Sequence, residues 1–491
     1  MTLWRVALAT INHGLGPAWR RMLLGVFLAG LGYLAFLPTF EARQEAAHTA
    51  ALIAFTTNGH IALDQSDALH PDSLGFAGPW PAGLTGPGRL GYAGEEDTLS
   101  NQLLDAPSQR YRAHPLALVF LAPARLVAQD WSWPAQVRFY RLLIWTIAML
   151  GFGLGVASAL RFGYVDRNAA VVMAAWPFLF PHFFSQMTAV SGAGIALGCF
   201  GVTSAALMAL SRRNDLTASL VLGLALGLSI WADTLMVTVW AGLALYLGWR
   251  GWRLHKYDAL DSEWLILRIF PMGLALLIGS GWLIYLVTSG EGQTMTPVLG
   301  EGILTRLWSN LASFSADGGA SLILPGPGWR LVSLLLLLLI LMRWEFHWRA
   351  LPDLAKAPAF ILPIFTLSVL LMGLQGYAAG FDDLHMLAPV LALIVGLCCR
   401  SSALVIALVV LGLFGAVAHG AFQASVYAGC ALYDPQLGRY GYGAAECLLD
   451  WAALEQVSAP GFALKSFAVG GLSALTALYS LWRQASWQHD D

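Results

Sequence analysis

Charged residues are scarce in this sequence, and their scarcity excludes an ordinary soluble domain. Only 11% of the 491 residues are Asp, Glu, Lys or Arg, whereas 57% are hydrophobic. The mean hydropathy is +0.64. Soluble domains carry roughly 25% charged residues. Because a large core cannot account for so wide a deficit, the composition indicates a protein embedded in a membrane.

The sequence also lacks the motifs of soluble enzymes and of nucleic-acid-binding proteins. It contains no Gly-x-x-x-x-Gly-Lys-Ser/Thr phosphate loop, no His-Glu-x-x-His and no Cys-x-x-Cys. The net charge is −2, and no block of like charges would bind nucleic acid. We predict no nucleic-acid partner and no certain cofactor. A divalent metal stays an open alternative, although the His and Glu residues show no diagnostic ligand spacing.

Long apolar runs recur along the whole chain. Each run is long enough to span a bilayer, and backbone amides in lipid must find their partners within a helix. The sequence therefore predicts an all-α polytopic membrane protein of about twelve transmembrane helices. The predicted spans are 22–39, 137–160, 169–188, 190–211, 217–232, 234–249, 265–288, 329–343, 358–378, 384–399, 401–418 and 462–482.

The distribution of Arg and Lys predicts how the chain is oriented. Short loops rich in Arg and Lys alternate with spans and fall on the same side as the N-terminus, which indicates the cytoplasmic side. The first outward loop holds ten acidic and five basic residues, a net of 5 − 10 = −5. The predicted order is a cytoplasmic N-terminus (1–21), a first transmembrane helix (22–39), an extracytoplasmic loop (40–136), a bundle (137–482) with outward loops near 289–328 and 419–461, and a cytoplasmic tail (483–491).

Two cysteines fall in one predicted outward loop. Cys430 and Cys447 would lie in an oxidising compartment there, which favours a disulfide between them. Two free thiols are the alternative.

The first outward loop opens with a candidate catalytic helix. Glu41, Glu45 and His48 recur at i, i+4 and i+7, so a helix presents them as one polar stripe. Ala46, Leu52, Ile53 and Phe55 form the apolar opposite face, and Asn58-Gly59 supplies a stop. The alternative is an ordinary amphipathic helix whose polar face is solvated.

Cationic residues precede a short apolar segment later in the same loop. Arg110, Arg112 and His114 stand just before 115–128, which is too short to span and predicts an interfacial or re-entrant helix. Guanidinium groups make bidentate bonds to phosphate, so a phosphate headgroup is one candidate ligand. Generic anchoring to anionic lipid headgroups is the alternative.

A third group of ionisable residues, Asp382, Asp383 and His385, stands at the outer start of a late predicted span. One of the two carboxylates could simply cap the helix that follows. Asp233 and His182 also lie within or beside predicted spans. Ionisable groups there are costly in lipid, which indicates a function or a pairing.

The layout and four short motifs resemble the GT-C glycosyltransferases, most closely those that take a sugar from undecaprenyl phosphate, such as lipid A aminoarabinose transferases and protein mannosyltransferases. Those families have an Asp-Glu pair, a Gly-Asp-Trp-like turn, a Lys-Pro-Pro-Leu-like segment and a His-Tyr-x-Leu-Pro-like segment. The similar runs here are Gln44-Glu45, Asn58-Gly59-His60, His114-Pro115-Leu116 and Leu384 to Pro389. The chain departs at Gln44, His114 and Leu116, and it has Trp231-Ala232-Asp233 where the family often has a Lys.

The resemblance implies an integral-membrane glycosyltransferase of the bacterial inner membrane with its site on the outer face. Its partners would be a polyprenyl-phosphate-linked sugar, a lipid, protein or glycan acceptor, and membrane lipids. A carboxylate would act as general base, with Glu45 the first candidate and Glu41 the second. The expected substrate-binding residues are Arg43, His48, Arg110, Arg112, His114, Asp382, Asp383 and His385.

Two other functions remain open from the sequence. A polysaccharide polymerase or ligase of the O-antigen kind also has about a dozen spans, but it relies on arginines in later loops. A secondary transporter would show two related halves and midplane charges, whereas the polar groups here cluster at the outer surface.

Overall fold

The computed structural model describes residues 16–40, 45–59, 114–180, 182–257, 260–288, 356–374, 381–398, 402–427, 433–434, 439–440 and 451–487. Within these ranges the chain forms sixteen α-helices, one 3₁₀ helix and two short strands. The helices are α1 (Ala18–Phe36), α2 (Glu45–Asn58), α3 (Pro115–Ala128), α4 (Trp133–Arg161), α5 (Arg167–Ala174), α6 (Trp176–Leu179), α7 (His182–Thr188), α8 (Ala193–Arg212), α9 (Leu216–Ala232), α10 (Met236–Lys256), α11 (Ser262–Thr288), α12 (Pro358–Leu374), the 3₁₀ helix (Phe381–Leu387), α13 (Ala388–Cys398), α14 (Ser402–Tyr427), α15 (Trp451–Val457) and α16 (Pro460–Trp487). Strands β1 (Tyr433–Asp434) and β2 (Arg439–Tyr440) pair antiparallel, with Tyr433 opposite Tyr440.

The helices have the length and apolar surface of a membrane bundle. In the part of the chain that the structure describes, five helices are long and apolar enough to cross a bilayer, namely Ala18–Phe36, Trp133–Arg161, Ala193–Arg212, Ser262–Tyr285 and Pro460–Arg483. Shorter apolar helices, such as Leu216–Ala232, lie among them. Large apolar side chains cover the outside, with Leu150 68% and Leu277 73% exposed. The predicted all-α polytopic class is confirmed.

Several predicted spans match the helices, and one does not. The predicted span 169–188 is three short helices, α5, α6 and α7, because Pro177 near the start of α6 cannot donate the amide hydrogen bond that would continue α5. The predicted short helix 115–128 coincides with α3. The last helix continues to Trp487, past the predicted start of the tail at 483. The predicted span 329–343 lies outside the described residues.

The first and last long helices, α1 and α16, run antiparallel in close contact. At one end the Arg21 side chain bonds Ser480, and at the other the amide of Ala459, just before α16, bonds the carbonyl oxygen of Ala35. Between them, a Cβ added to Gly470 would lie 2.8 Å from the Gly25 carbonyl oxygen. Only a residue without a side chain lets the two backbones approach this closely.

The bundle has two chemically different ends. One end of the bundle contains the C-termini of α1 and α9 and the N-termini of α4 and α8. We name it the site end, because the candidate site is built there around Leu37, Arg141, Val190 and Ala232. The opposite ends of α4, α8 and α16 carry Arg161, Arg212 and Arg483, and we name it the arginine end. The sequence predicts that the arginine end is cytoplasmic.

We expect Gly470→Ala to lower the thermal unfolding midpoint of the purified protein, because its Cβ would meet backbone that cannot move aside cheaply. Overpacking of this kind costs about 1–3 kcal/mol. Gly273→Ala is the matched control, since a Cβ at that helical position meets nothing within 4 Å. Equal midpoints for the two variants, measured by thermal-shift fluorescence in detergent, would contradict the close crossing.

Candidate functional site

A buried ion pair between Glu45 and Arg141 stands at the centre of the site end. Arg141 donates from Nε to Glu45 Oε1 at 2.8 Å and from Nη2 to Glu45 Oε2 at 2.5 Å. Both side chains are 0% exposed. The contact is the planar, bidentate arrangement in which guanidinium–carboxylate bonds are strongest.

The same pair ties four parts of the chain together. Arg141 Nη1 donates to the carbonyl oxygen of Leu37 at 2.6 Å, and Nη2 donates to that of Pro38 at 2.7 Å. The backbone amide of Val190 donates to Glu45 Oε1 at 3.2 Å. The pair therefore joins the segment after α1, the start of α2, α4 and the turn that precedes α8.

Helix α2 confirms one sequence prediction and overturns another. It ends at Asn58, and Gly59 follows with φ of 67°, as expected of a glycine stop. Glu45 and His48 do share one face, but they are only 0% and 5% exposed. The alternative of an amphipathic helix with a solvated polar face is therefore wrong for these two residues.

A second polar contact brings His48, His114 and Asp233 together. The rings of His48 and His114 have centroids 4.8 Å apart. His114 Nδ1 lies 2.8 Å from the Ala232 carbonyl oxygen and 3.8 Å from Asp233 Oδ2. Asp233 is 1% exposed, and its Oδ1 accepts the amide of Leu235 at 2.9 Å.

The contact with Ala232 fixes the hydrogen-bonding roles of His114. A backbone carbonyl oxygen only accepts, so Nδ1 of His114 carries the proton and donates it. In the neutral ring Nε2 is then an acceptor, and in the charged ring it is a second donor.

Gly192 makes room for this arrangement. It lies just before α8, and a Cβ at this position would overlap the Ala232 carbonyl oxygen and meet the His114 ring. A side chain here would displace the histidine from its acceptor, so close approach of the backbone is what requires glycine at this position.

A separate polar contact lies between α7 and the 3₁₀ helix. Gln186 Nε2 donates to Asp383 Oδ1 at 3.1 Å, and Asp383 and His385 are both 0% exposed. The His385 ring lies 6.1 Å from that of His182, whose Nδ1 is 2.8 Å from Ser185 Oγ. Asp383 and His385, which the sequence groups together, are thus two buried side chains of the same 3₁₀ helix.

The remaining predicted site residues are not among those that the structure describes. Glu41, Arg43, Arg110, Arg112, Cys430 and Cys447 lie outside the described residues, as does the side chain of Asp382. Within the described ranges, no group of three or more His, Cys, Asp and Glu side chains could hold a metal ion.

Two partners in these contacts escaped the sequence analysis. Arg141 lies inside a predicted span, and an Arg in an apolar run was the available signal for a buried pair. Gln186 carries no charge, so the sequence did not indicate it as a partner in a buried polar contact. Asp233 was recognised as costly beside a span, but its partner His114 lies 118 positions away in the sequence.

Comparisons with known proteins are sparse for this chain. No protein-family model matches it, and no curated protein matches it in sequence. Its fold is similar to the crystal structure of ArnT from Cupriavidus metallidurans bound to undecaprenyl phosphate, at 14% identity and a TM-score of 0.49, covering 94% of this chain and 76% of that one. It is also similar to the apo structure of ArnT from the same organism, at 13% identity and a TM-score of 0.47, covering 98% of this chain and 76% of that one.

The similarity to these two structures is low both in identity and in TM-score. At this level of identity it assigns no residue role and no substrate. The roles of the site residues are therefore argued from their own contacts.

We expect strong coupling between Glu45 and Arg141 in stability. Glu45→Gln leaves the Arg141 charge buried without a countercharge, which costs about 3–5 kcal/mol. The double variant Glu45→Gln/Arg141→Gln removes both charges and should lose less than the sum of the two single variants.

The measurement is a double-mutant cycle of thermal unfolding midpoints in detergent. Arg161→Gln, an exposed arginine at the other end of α4, is the matched control and should change the midpoint little. Additive losses in the cycle would contradict the pairing.

Proposed function

We propose that the protein is an integral-membrane glycosyltransferase that moves a sugar from a polyprenyl-phosphate carrier to an acceptor on the outer side of the membrane. The observation that carries this proposal is the gathering of two carboxylates and two imidazoles at one end of an apolar bundle. These residues are Glu45, Asp233, His48 and His114. Buried ionisable groups collected in this way are typical of catalytic sites.

The proposed reaction is a single displacement. The acceptor hydroxyl oxygen forms a bond to the anomeric carbon of the sugar, and the bond from that carbon to the carrier phosphate oxygen breaks. The proton of the hydroxyl passes to a base of the protein, and polyprenyl phosphate departs with the electron pair. A base positioned on the hydroxyl and cations on the departing phosphate are the two aids that this chemistry needs.

Asp233 is a better candidate for the base than Glu45. Both oxygens of Glu45 accept from Arg141, so a proton taken up there would leave the arginine without a countercharge. In this proposal Glu45 is a positioning residue that holds α2 in place. Asp233 accepts the amide of Leu235 through Oδ1, and its Oδ2 lies 3.8 Å from Nδ1 of His114. Glu41, one turn before Glu45 in sequence, remains the other candidate.

His48 and His114 are the described candidates for the carrier phosphate. Their ring centroids are 4.8 Å apart, and imidazole N–H groups can donate hydrogen bonds to a phosphate. Arg43, Arg110 and Arg112 are added from the sequence as further phosphate ligands.

The group around Asp383 and His385 is proposed to contact the sugar or the acceptor. One stretch of chain connects this group to the Glu45–Arg141 pair, since Gln186 bonds Asp383 while Val190 bonds Glu45. The two polar groups therefore bond to residues only four positions apart in the chain.

The carrier site is tested by binding of undecaprenyl phosphate to the purified protein. We expect saturable binding that is lost in the triple variant Arg110→Ala/Arg112→Ala/His114→Ala, because the phosphate loses its cations. The matched control is Arg161→Ala/Arg167→Ala/His255→Ala, which removes two arginines and a histidine that are exposed at the arginine end. Absence of saturable binding to the unaltered protein would remove the main support for the transferase.

The base is tested by transfer from a panel of undecaprenyl-phosphate-linked labelled sugars. Asp233→Asn should lower the turnover about 10²–10⁴-fold because a general base is lost, with little change in the unfolding midpoint. Asp130→Asn is the control, since Asp130 is exposed after α3. A full rate in Asp233→Asn together with a lost rate in Glu41→Gln would move the role to Glu41.

A further inference from the structure

A buried arginine at the other end of the bundle has no acidic partner among the residues that the structure describes. Arg21 is 3% exposed, and its Nη2 donates to Ser480 Oγ at 2.7 Å. Its Nε and Nη1 atoms are buried and have no hydrogen-bond partner within the part of the chain that the structure describes. A buried guanidinium is costly when, as among the described residues here, its side-chain partner is a hydroxyl and not a carboxylate.

The Arg21 side chain extends toward the arginine end. Its carbonyl oxygen accepts from Ser473 Oγ at 2.8 Å, whereas its guanidinium bonds Ser480, seven residues further along α16. At 1.5 Å per residue this is roughly 10 Å along the helix axis. The side chain therefore runs beside α16 from the apolar middle toward the end of that helix, as an arginine does when it reaches for a membrane surface.

The guanidinium lies at the level of interfacial residues. Arg483 follows Ser480 by one turn and is exposed, and Trp482 beside it is 52% exposed. On α1, Arg20 is exposed and its guanidinium stands 5.2 Å from the centre of the Trp19 ring. Tryptophan and arginine mark the depth of lipid headgroups.

The two helices supply no countercharge. Neither the α1 sequence nor the α16 sequence contains Asp or Glu. Arg20, Arg21 and Arg483 lie toward the same end of these two helices. Asp166, next to α5, which packs on both helices, is occupied as an N-cap of its own helix, since it accepts the amide of Ala169.

We propose that Arg21 is the centre of a binding site for an anionic phospholipid between α1 and α16. The lipid phosphate would accept from Nε and Nη1 of the guanidinium, and the exposed Arg20 would attract it to the surface. Its acyl chains would lie on the apolar outer faces of the two helices. Those faces carry Leu24, Val469, Leu472 and Leu475, whose side chains are 44%, 57%, 64% and 47% exposed.

A lipid bound at this site would bridge α1 and α16, the first and last long helices of the bundle. A lipid is favoured over soluble phosphate because the cations stand beside apolar surface that water-soluble anions do not cover. The site is independent of the transferase reaction, since it lies at the end of the bundle opposite to Glu45 and Asp233.

The test uses delipidated full-length protein in uncharged detergent, with phosphatidylglycerol added and phosphatidylcholine or inorganic phosphate in its place as comparisons. We expect phosphatidylglycerol to raise the unfolding midpoint by about 5 °C or more near saturation, and the other two to have little effect. An equal rise with inorganic phosphate or with phosphatidylcholine would overturn the proposal.

The decisive variant is Arg21→Met, which keeps the length of the side chain and removes the charge. We expect it to be at least as stable as the unaltered protein without lipid and to lose the response to phosphatidylglycerol. Arg161→Met, at an exposed arginine of α4, should keep that response. A full response in Arg21→Met would overturn the proposal.

Native mass spectrometry of the unaltered protein does not depend on how the variant folds. We expect one phosphatidylglycerol to be retained after detergent removal at energies that strip phosphatidylcholine. No retained anionic lipid would overturn the proposal.

Discussion

The structure of the site end depends on the buried pair of Glu45 and Arg141. Water does not reach it, so each hydrogen-bonding group must find its partner in the protein. Arg141 meets this demand by bonding Glu45 and the two carbonyl oxygens that follow α1, while Glu45 also accepts the amide of Val190. A single charge pair thereby ties the Glu45 end of α2 to α1 and α4, and His48 lies on the same helix three residues further on.

The interrupted stretch of α5, α6 and α7 has a role that a continuous span could not fill. Irregular backbone at membrane depth is tolerated only when protein covers it, and α7 is buried throughout. Because the helix stops at Thr188, the amide of Val190 is free of helical bonding and turns to Glu45. Gln186, still within α7, faces Asp383 instead. One broken segment thus supports both polar groups of the candidate site.

The sequence predicts the local elements well and the pairings poorly, for a physical reason. Helix α3 follows from the length of its apolar run, and the end of α2 follows from Asn58 and Gly59, since both signals lie within a few residues of the element. The partner of Glu45 is 96 positions away, and the spacing of residues along a helix carries no information over that distance. Burial of Glu45 and His48 likewise depends on what packs above them, which is why the solvated face was a reasonable but wrong alternative. For the 169–188 region, apolar composition indicated a span while Pro177 interrupted the helix.

Two arginines of similar burial show that buried charge is compensated differently at the two ends of the bundle. Arg141 is 0% exposed and Arg21 is 3% exposed, so both have lost nearly all contact with water. Arg141 recovers that loss from a carboxylate and two carbonyl oxygens, whereas Arg21 has one hydroxyl. The charge at the site end is therefore balanced within the chain, which keeps its geometry independent of the surrounding lipid. The described residues supply no carboxylate to Arg21, and the lipid phosphate proposed above would balance its charge from outside the chain. A bundle built in this way can hold its site rigidly while the contact between its first and last helices responds to the composition of the membrane.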